Sequence, residues 1–165
     1  MTDALRVVPS SDTVSTGVRD AATIADGLAD VLADTYSLVF KTHAYHWSVE
    51  GPLFYSVHKL TEEQYENMFD AADELAERIR ALGQLAPSAM ADIVGRSTID
   101  DKTGNLSTAD MVEDLAADHE RIAHRLHALI DLVEGKKDPV TEDLATERSA
   151  FHEQAAWMLR AIAKS

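Results

Sequence analysis

The chain has 165 residues and a formal net charge of −14, with 45% hydrophobic and 27% charged residues. This length and composition predict one globular domain and exclude a chain that is disordered throughout. The sequence contains no cysteine. Disulfides, thiolate-bound metals and cysteine nucleophiles are therefore excluded, and any metal must be held by histidines and carboxylates.

The ends of the chain carry few basic residues. Up to residue 14 the only one is Arg6, and the last six residues add Arg160 and Lys164. Proteins that bind duplex DNA usually present a basic patch or tail, so the sequence disfavours DNA as a partner. The chain shows neither the pattern of a secretory signal nor an apolar run long enough to span a bilayer, and we expect a cytoplasmic protein without a membrane partner.

Glycine and proline, which favour helix ends, separate four long stretches of the chain. We predict a mobile tail over residues 1–14 and a bundle over 15–165, with helices over residues ~18–48, ~53–82, ~107–134 and ~139–163. Apolar residues recur in steps of three, four and seven, which predicts one buried stripe on each helix. Ser107 with Asp110 predicts a capping box at the third helix, and Asp138 predicts a cap at the fourth.

The connection between the second and third helices is much longer than the other two. It runs from Gly83 to about Leu106, whereas the first and third connections are short enough to pair their helices antiparallel. A helix of about 28 residues is about 42 Å long, and the long connection can run back along it. The pattern predicts an all-α, ferritin-like four-helix bundle with one crossover, which contains a short helix over residues 88–94.

Residues that favour metal binding concentrate on the second helix and just before it. Imidazole and carboxylate groups together are typical ligands of iron, manganese or zinc. Within one stripe about 100° wide, the second helix carries His58, Glu62, Asp73 and Glu77. His58 and Asp73 are fifteen residues apart, or about 22 Å along a helix. One metal pair therefore cannot contact both ends of this set within a single chain.

Two arrangements fit this spacing. The residues form two unrelated clusters, or two copies of the helix meet antiparallel across a two-fold axis near Asn67 and Met68, so that the His58 end of one faces the Asp73 end of the other. His46, near the end of the first helix, can join His58 after the short turn. No histidine has a glutamate three residues before it, as in ferritin-type sites within one bundle, and this favours a site between chains.

The segment from Tyr36 to Gly83 resembles the Dps family of mini-ferritins. The motifs that carry the resemblance are His46-Trp47, Gly51, His58 twelve residues after the first histidine, Glu62, and Asp-Glu-Leu-Ala-Glu-Arg over residues 73–78. A weaker match covers His-Glu-Gln-Ala-Ala-Trp-Met-Leu over residues 152–159. Glu62 stands where many members have aspartate, so a carboxylate is kept but with a longer reach.

The resemblance implies a hollow homododecamer that protects against oxidative damage. It implies that iron is oxidised from Fe²⁺ to Fe³⁺, preferentially with hydrogen peroxide, at centres shared by two subunits, and that ferric mineral is stored inside. By position it implies a ferroxidase centre whose catalytic metal ligands are His46, His58 and Glu62 from one subunit and Asp73 and Glu77 from its partner. Two alternatives remain open: a nucleoid-associated DNA-binding cage without significant iron chemistry, and a structural bundle with a vestigial site.

The other histidines and the tryptophans have separate interpretations. On the third helix we favour solvent-exposed, titratable side chains over a second metal site for His119, His124 and His127. We expect His43 to have a packing or supporting role and not to bind the metal directly. Trp47 is either a core residue or a shield and radical sink beside the metal. We expect His152 and Trp157 to be structural.

Overall fold

The computed structural model describes residues 8–12, 14–102 and 104–164. Within these residues the chain forms five α-helices and no strand: α1 (Ala21–Ser48), α2 (Phe54–Ala81), α3 (Met90–Arg96), α4 (Thr108–Val133) and α5 (Pro139–Ile162). The all-α fold with a short helix in the crossover is confirmed. None of the described helices is long and apolar enough to cross a membrane.

The tail predicted over residues 1–14 lies largely outside the described residues. Of its residues, 8–12 and 14 are described and form neither helix nor strand. Arg80 Nη2, near the end of α2, donates to Ser10 O at 3.1 Å. One point of the tail therefore rests on the bundle, and the mobility of the tail stays a prediction.

The predicted caps set the starts of α4 and α5. Ser107 Oγ accepts from Asp110 N at 3.1 Å, and the Asp110 carboxylate accepts from Ser107 N at 3.2 Å, which completes the capping box. Asp138 Oδ1 accepts from Thr141 N at 2.9 Å. The same Asp138 oxygen accepts from Arg78 Nη2 at 2.6 Å. This buried ion pair fixes the last turn of α2 against the first turn of α5.

The core lies between the antiparallel pairs α1–α2 and α4–α5, which meet mainly where α1 packs on α4. Its largest fully buried apolar side chains are Ile24, Leu28, Leu38, Met68, Leu75, Ile79, Leu115, Ile122, Leu126 and Leu159. Each contributes about 1.5–3 kcal/mol by leaving water. On α5 the apolar Phe151 and Met158 are only half-buried, whereas the polar Arg148 and His152 are buried.

Buried polar groups on α1 hold the crossover between α2 and α4. The fully buried Asp34 carboxylate accepts from Thr98 N at 2.6 Å and from Arg125 Nη1 at 2.6 Å. Lys41 Nζ donates to Asp100 O at 2.9 Å. Because a buried charge is costly without partners, these contacts fix the path of the crossover along α1. The α1–α2 face that carries the predicted ligands lies beside this path.

Candidate metal centre

The short turn between α1 and α2 brings His46 and His58 together. Gly51 has a φ of 90°, in the left-handed region that glycine adopts without steric cost. Phe54 N then donates to Gly51 O at 3.0 Å as α2 begins. The chain reverses over residues 49–53 and places the last turn of α1 against the first turn of α2.

His46 and His58 bind each other's backbone in a reciprocal pair. His46 Nδ1 lies 2.8 Å from His58 O, His58 Nδ1 lies 3.0 Å from His46 O, and the rings stack with centroids 3.7 Å apart. A carbonyl oxygen only accepts hydrogen bonds, so each Nδ1 must carry a proton and donate it. A neutral imidazole in that tautomer keeps its lone pair on Nε2. Each ring can therefore offer Nε2 to a metal while its Nδ1 is held by a carbonyl, an arrangement common among metal-binding histidines.

Thr61 contacts both residues of this pair. Its side chain is buried, and its Oγ1 donates to Val57 O at 2.7 Å and lies 3.1 Å from His58 O. The same hydroxyl lies 3.4 Å from His46 Nδ1. Thr61 is not among the site residues predicted from the sequence. Its position three residues after His58, on the same side of the helix, was the available signal.

The Glu62 carboxylate lies near both histidines and is bonded by Lys59 Nζ, one turn earlier on α2. The hydrogen bond from Lys59 is the largest cause that lowers the pKa of Glu62, followed by the charge of Lys59. The charges that His46 and His58 carry when protonated lower the pKa of Glu62 further. Glu62 is therefore ionised at neutral pH and close enough to interact with the histidine pair.

Asp73 and Glu77 lie far along α2 from that pair. Both are exposed, and Asp73 lines a groove of about 910 Å³ together with Tyr36 and Phe69. Because α2 is continuous from Phe54 to Ala81, Asp73 is about 22 Å from His58. Among the described residues no group of three or more histidines and carboxylates comes together to hold a metal ion. One chain thus joins His46 and His58, with Glu62 nearby, but not the other two acids.

Aromatic side chains cover the α1–α2 face around these residues and are exposed to solvent. They are Tyr36, Phe40, Trp47, Phe54 and Phe69. Tyr36 and Phe69 meet edge to face, with ring centroids 6.3 Å apart, so the two helices share one aromatic surface. Large exposed apolar patches on soluble proteins mark interaction surfaces. This α1–α2 face has the properties of a protein–protein interface.

His43 stacks between two aromatic rings beside the histidine pair. Its ring centroid lies 4.2 Å from that of Trp47 and 4.3 Å from that of Tyr65, which favours the packing role predicted for His43. Tyr65 also approaches His46, with centroids 5.4 Å apart. Tyr65 is not among the residues predicted from the sequence, although it lies two turns after His58. Trp47 is 62% exposed, so its interpretation as a core residue is wrong, and its role as a radical sink stays a prediction.

The prediction that His119 is exposed is wrong. His119 and His152 are fully buried where α4 packs on α5, and their Nδ1 atoms lie 2.8 Å apart. Burial is the main cause that lowers the pKa of His119 to about 3, and burial also lowers the pKa of His152. His124 and His127 are exposed as predicted, and His127 Nε2 lies 3.1 Å from a Glu153 oxygen.

Comparison with known proteins places this geometry in a family. The sequence matches the ferritin-like domain over residues 25–165. A low temperature-induced protein of Nostoc sp. is 39% identical over 133 residues, which cover 79% of this chain and 74% of that protein. The DNA protection during starvation protein of Helicobacter pylori is 31% identical over 135 residues, covering 81% of this chain and 94% of that protein.

Solved structures agree with these matches. Dps from Staphylococcus aureus superposes with a TM-score of 0.84 at 27% sequence identity, over 88% of this chain and 97% of that one. The fold and these matches thus define a ferritin-like protein. Within that class, the chain belongs to the Dps family.

Proposed function

We propose that this protein is a Dps-type ferroxidase and iron store. It oxidises Fe²⁺, preferentially with hydrogen peroxide, at sites shared by two subunits, and it keeps the ferric mineral inside a cage of about twelve chains. The observation that carries the proposal is the reciprocal bonding of His46 and His58. It leaves two Nε2 lone pairs beside the Glu62 carboxylate, on an aromatic face that nothing in the described chain covers.

The continuous α2 helix supports a shared site. His58 and Glu62 lie toward one end and Asp73 and Glu77 toward the other, all on one stripe. When two copies of α2 meet antiparallel, each end faces its complement, and an isologous contact makes two equivalent sites. The two-fold axis then passes at the level of Asn67. The exposed aromatic rings on either side of that level become buried between the subunits.

The donor set suits iron in both oxidation states. Two neutral imidazoles bind Fe²⁺, and three carboxylates favour Fe³⁺ as the positive charge increases. Peroxide takes one electron from each of two Fe²⁺ ions, its O–O bond breaks, and its two oxygens leave as water after taking up two protons. Pairing the ions in one step avoids the release of a free hydroxyl radical. Carboxylates on the cage wall then receive Fe³⁺ and nucleate the mineral.

DNA binding does not follow from family membership. The Helicobacter pylori relative is named for DNA protection, but this chain carries a net charge of −14 and its tail has one basic residue up to position 14. Phosphate repulsion then disfavours association at ~150 mM salt. A gel shift of the metal-free protein at low salt and at that salt tests this. Salt-sensitive retardation would favour the DNA-binding cage.

Anaerobic titration with Fe²⁺, followed by a hydrogen peroxide pulse, tests the ferroxidase proposal. We expect saturable binding of about two Fe²⁺ per chain, with one ion held more tightly because five side chains are few ligands for two ions. Ferric absorbance should then rise at one peroxide consumed for about two irons, without spin-trapped hydroxyl radical. Iron oxidation no faster than in buffer would contradict the proposal and favour a vestigial site.

A further inference from the structure

The carboxylate of Glu62 is already occupied by a cation of the same chain. Lys59 Nζ bonds to Glu62 one turn along α2, and Lys59 immediately follows His58. An exposed lysine side chain is charged at neutral pH, so the group that bonds to Glu62 is an ammonium. Among the described residues, Lys59 is the one cation that bonds to Glu62. A positive charge therefore stands where a metal bound by the histidine pair would meet its carboxylate.

This ion pair is open to exchange. The side chains of Lys59 and Glu62 are 50% and 32% exposed, and exposed pairs at this helical spacing are weak and screened by salt. A divalent cation held by two imidazoles attracts the carboxylate more strongly than a single ammonium does. The lysine side chain is long and flexible, so it can move into solvent when it is displaced.

We propose that Lys59 is a built-in competitor for divalent metal at Glu62. Without metal, the ammonium keeps the carboxylate ionised and placed beside His46 and His58. When Fe²⁺ arrives, it must displace Lys59, so the lysine weakens metal binding at this position and eases transfer of the oxidised ion onward. This inference rests on the proposed function, because it concerns the affinity of the same site.

Titration of the metal-free protein with Co²⁺ under argon tests this inference, because Co²⁺ reports its own ligands by visible absorption and needs no turnover. We expect the Co²⁺ ion that binds with the higher affinity to bind about three- to tenfold more strongly to Lys59→Gln than to the wild type. Lys59→Arg keeps the charge, so its affinity for Co²⁺ should stay within about twofold of the wild-type value. Lys136→Gln is the control, since it removes one charge from another ion pair at the surface, with the exposed Asp20, and should leave the Co²⁺ affinity unchanged.

A Glu62→Gln background separates competition from simple charge repulsion. There the ammonium and the metal no longer compete for a carboxylate, so Lys59→Gln should change Co²⁺ affinity by less than about twofold. An equal gain with and without Glu62 would overturn the competition, and so would an equal gain in Lys136→Gln. Unchanged affinity in Lys59→Gln, while His46→Ala abolishes binding, would overturn this inference alone. Failure of the wild-type protein to bind Co²⁺ at all would overturn the proposed function and this inference together.

Discussion

Two pairs of histidines each join two helices of the bundle, and their hydrogen bonds set the two pairs apart. In the α1–α2 pair, each ring donates Nδ1–H to the other residue's carbonyl, at 2.8 and 3.0 Å. In the α4–α5 pair, the Nδ1 atoms of His119 and His152 face each other at 2.8 Å, so one ring must donate and the other accept. The first arrangement leaves the Nε2 atom of each ring for a metal. In the second, the two Nδ1 atoms bond to each other inside the core.

Burial reinforces the difference between the pairs. His119 and His152 lie in the core beside the buried Arg148, whose charge adds to the burial that lowers their pKa values. In the α1–α2 pair, His46 is buried but His58 is only half-buried, on the aromatic face. Proximity of two histidines therefore does not define a metal site. The atoms that their ring nitrogens contact, and the access of solvent to those nitrogens, decide it.

Replacing the histidines of each pair in turn should give the largest contrast, in the rate of Fe²⁺ oxidation. We expect His46→Ala with His58→Ala to slow peroxide-driven Fe²⁺ oxidation by at least about a hundredfold, because both nitrogen ligands are lost. His119→Gln with His152→Gln should change that rate by less than about threefold in protein that still assembles. Stopped-flow ferric absorbance measures both. Equal losses in the two variants would show that the α1–α2 pair has no special role in iron oxidation.

Substitutions in the buried α4–α5 pair should cost more stability than substitutions in the α1–α2 pair, the reverse of their effects on iron oxidation. His119→Ala removes a fully buried ring and leaves the His152 nitrogen without a partner, which should lower the free energy of unfolding by about 2–4 kcal/mol. His58→Ala loses a half-buried ring and one hydrogen bond to a carbonyl, and should cost about 1 kcal/mol. Denaturant unfolding at one fixed protein concentration compares them. A larger loss for His58→Ala would contradict the assignment of the core pair.

Low pH should destabilise the protein through the buried pair, His119 and His152. The pKa of His119 is about 3 in the folded chain against an ordinary value of 6.5, so the unfolded state binds the proton first. Above pH 6.5 the ring is neutral in both states and the free energy of unfolding has its full value. Between pH 6.5 and 3 the free energy of unfolding falls by up to about 1.4 kcal/mol per pH unit, because only the unfolded state binds the proton. His119→Gln with His152→Gln should flatten this part of the pH dependence relative to the wild type. Parallel curves for the two proteins would show that the histidines are not buried neutral groups.

The two tryptophans give a smaller, spectroscopic contrast. Trp47 and Trp157 are similarly exposed, at 62% and 66%, but only Trp47 lies beside the α1–α2 pair, through His43. We expect Co²⁺ to quench the fluorescence of Trp157→Phe with the stoichiometry of the site, and to leave that of Trp47→Phe nearly unchanged. Quenching of both variants to the same degree would indicate nonspecific binding of Co²⁺.

Sequence reasoning was most successful where local chemistry decides the structure. The starts of α4 and α5 follow from Ser107 with Asp110 and from Asp138, because caps act within one turn. The short connection that brings His46 to His58 follows from the glycine there. These features depend on neighbouring residues alone and need no knowledge of the packed bundle.

Tertiary packing explains what the sequence did not predict. The core face of α5 includes Arg148 and His152, which an apolar pattern cannot identify, and His119 is buried because α4 packs against that same face. Thr61 and Lys59 lie beside the candidate ligands within one helical turn. Their hydrogen bonds depend on rotamers that a residue pattern does not fix.

In the proposed arrangement each site takes its histidines from one chain and Asp73 and Glu77 from another, and mixing inactive chains shows whether the site is shared. A His46→Ala/His58→Ala chain and an Asp73→Ala/Glu77→Ala chain are dissociated, combined in equal amounts and reassembled. With random pairing, half of the interfaces are mixed and each has one intact site, so we expect about a quarter of wild-type ferroxidase activity. Mixing His46→Ala with His58→Ala chains should restore none, since both histidines come from one chain. No recovered activity in the first mixture, while mass spectrometry shows mixed oligomers, would contradict the shared site.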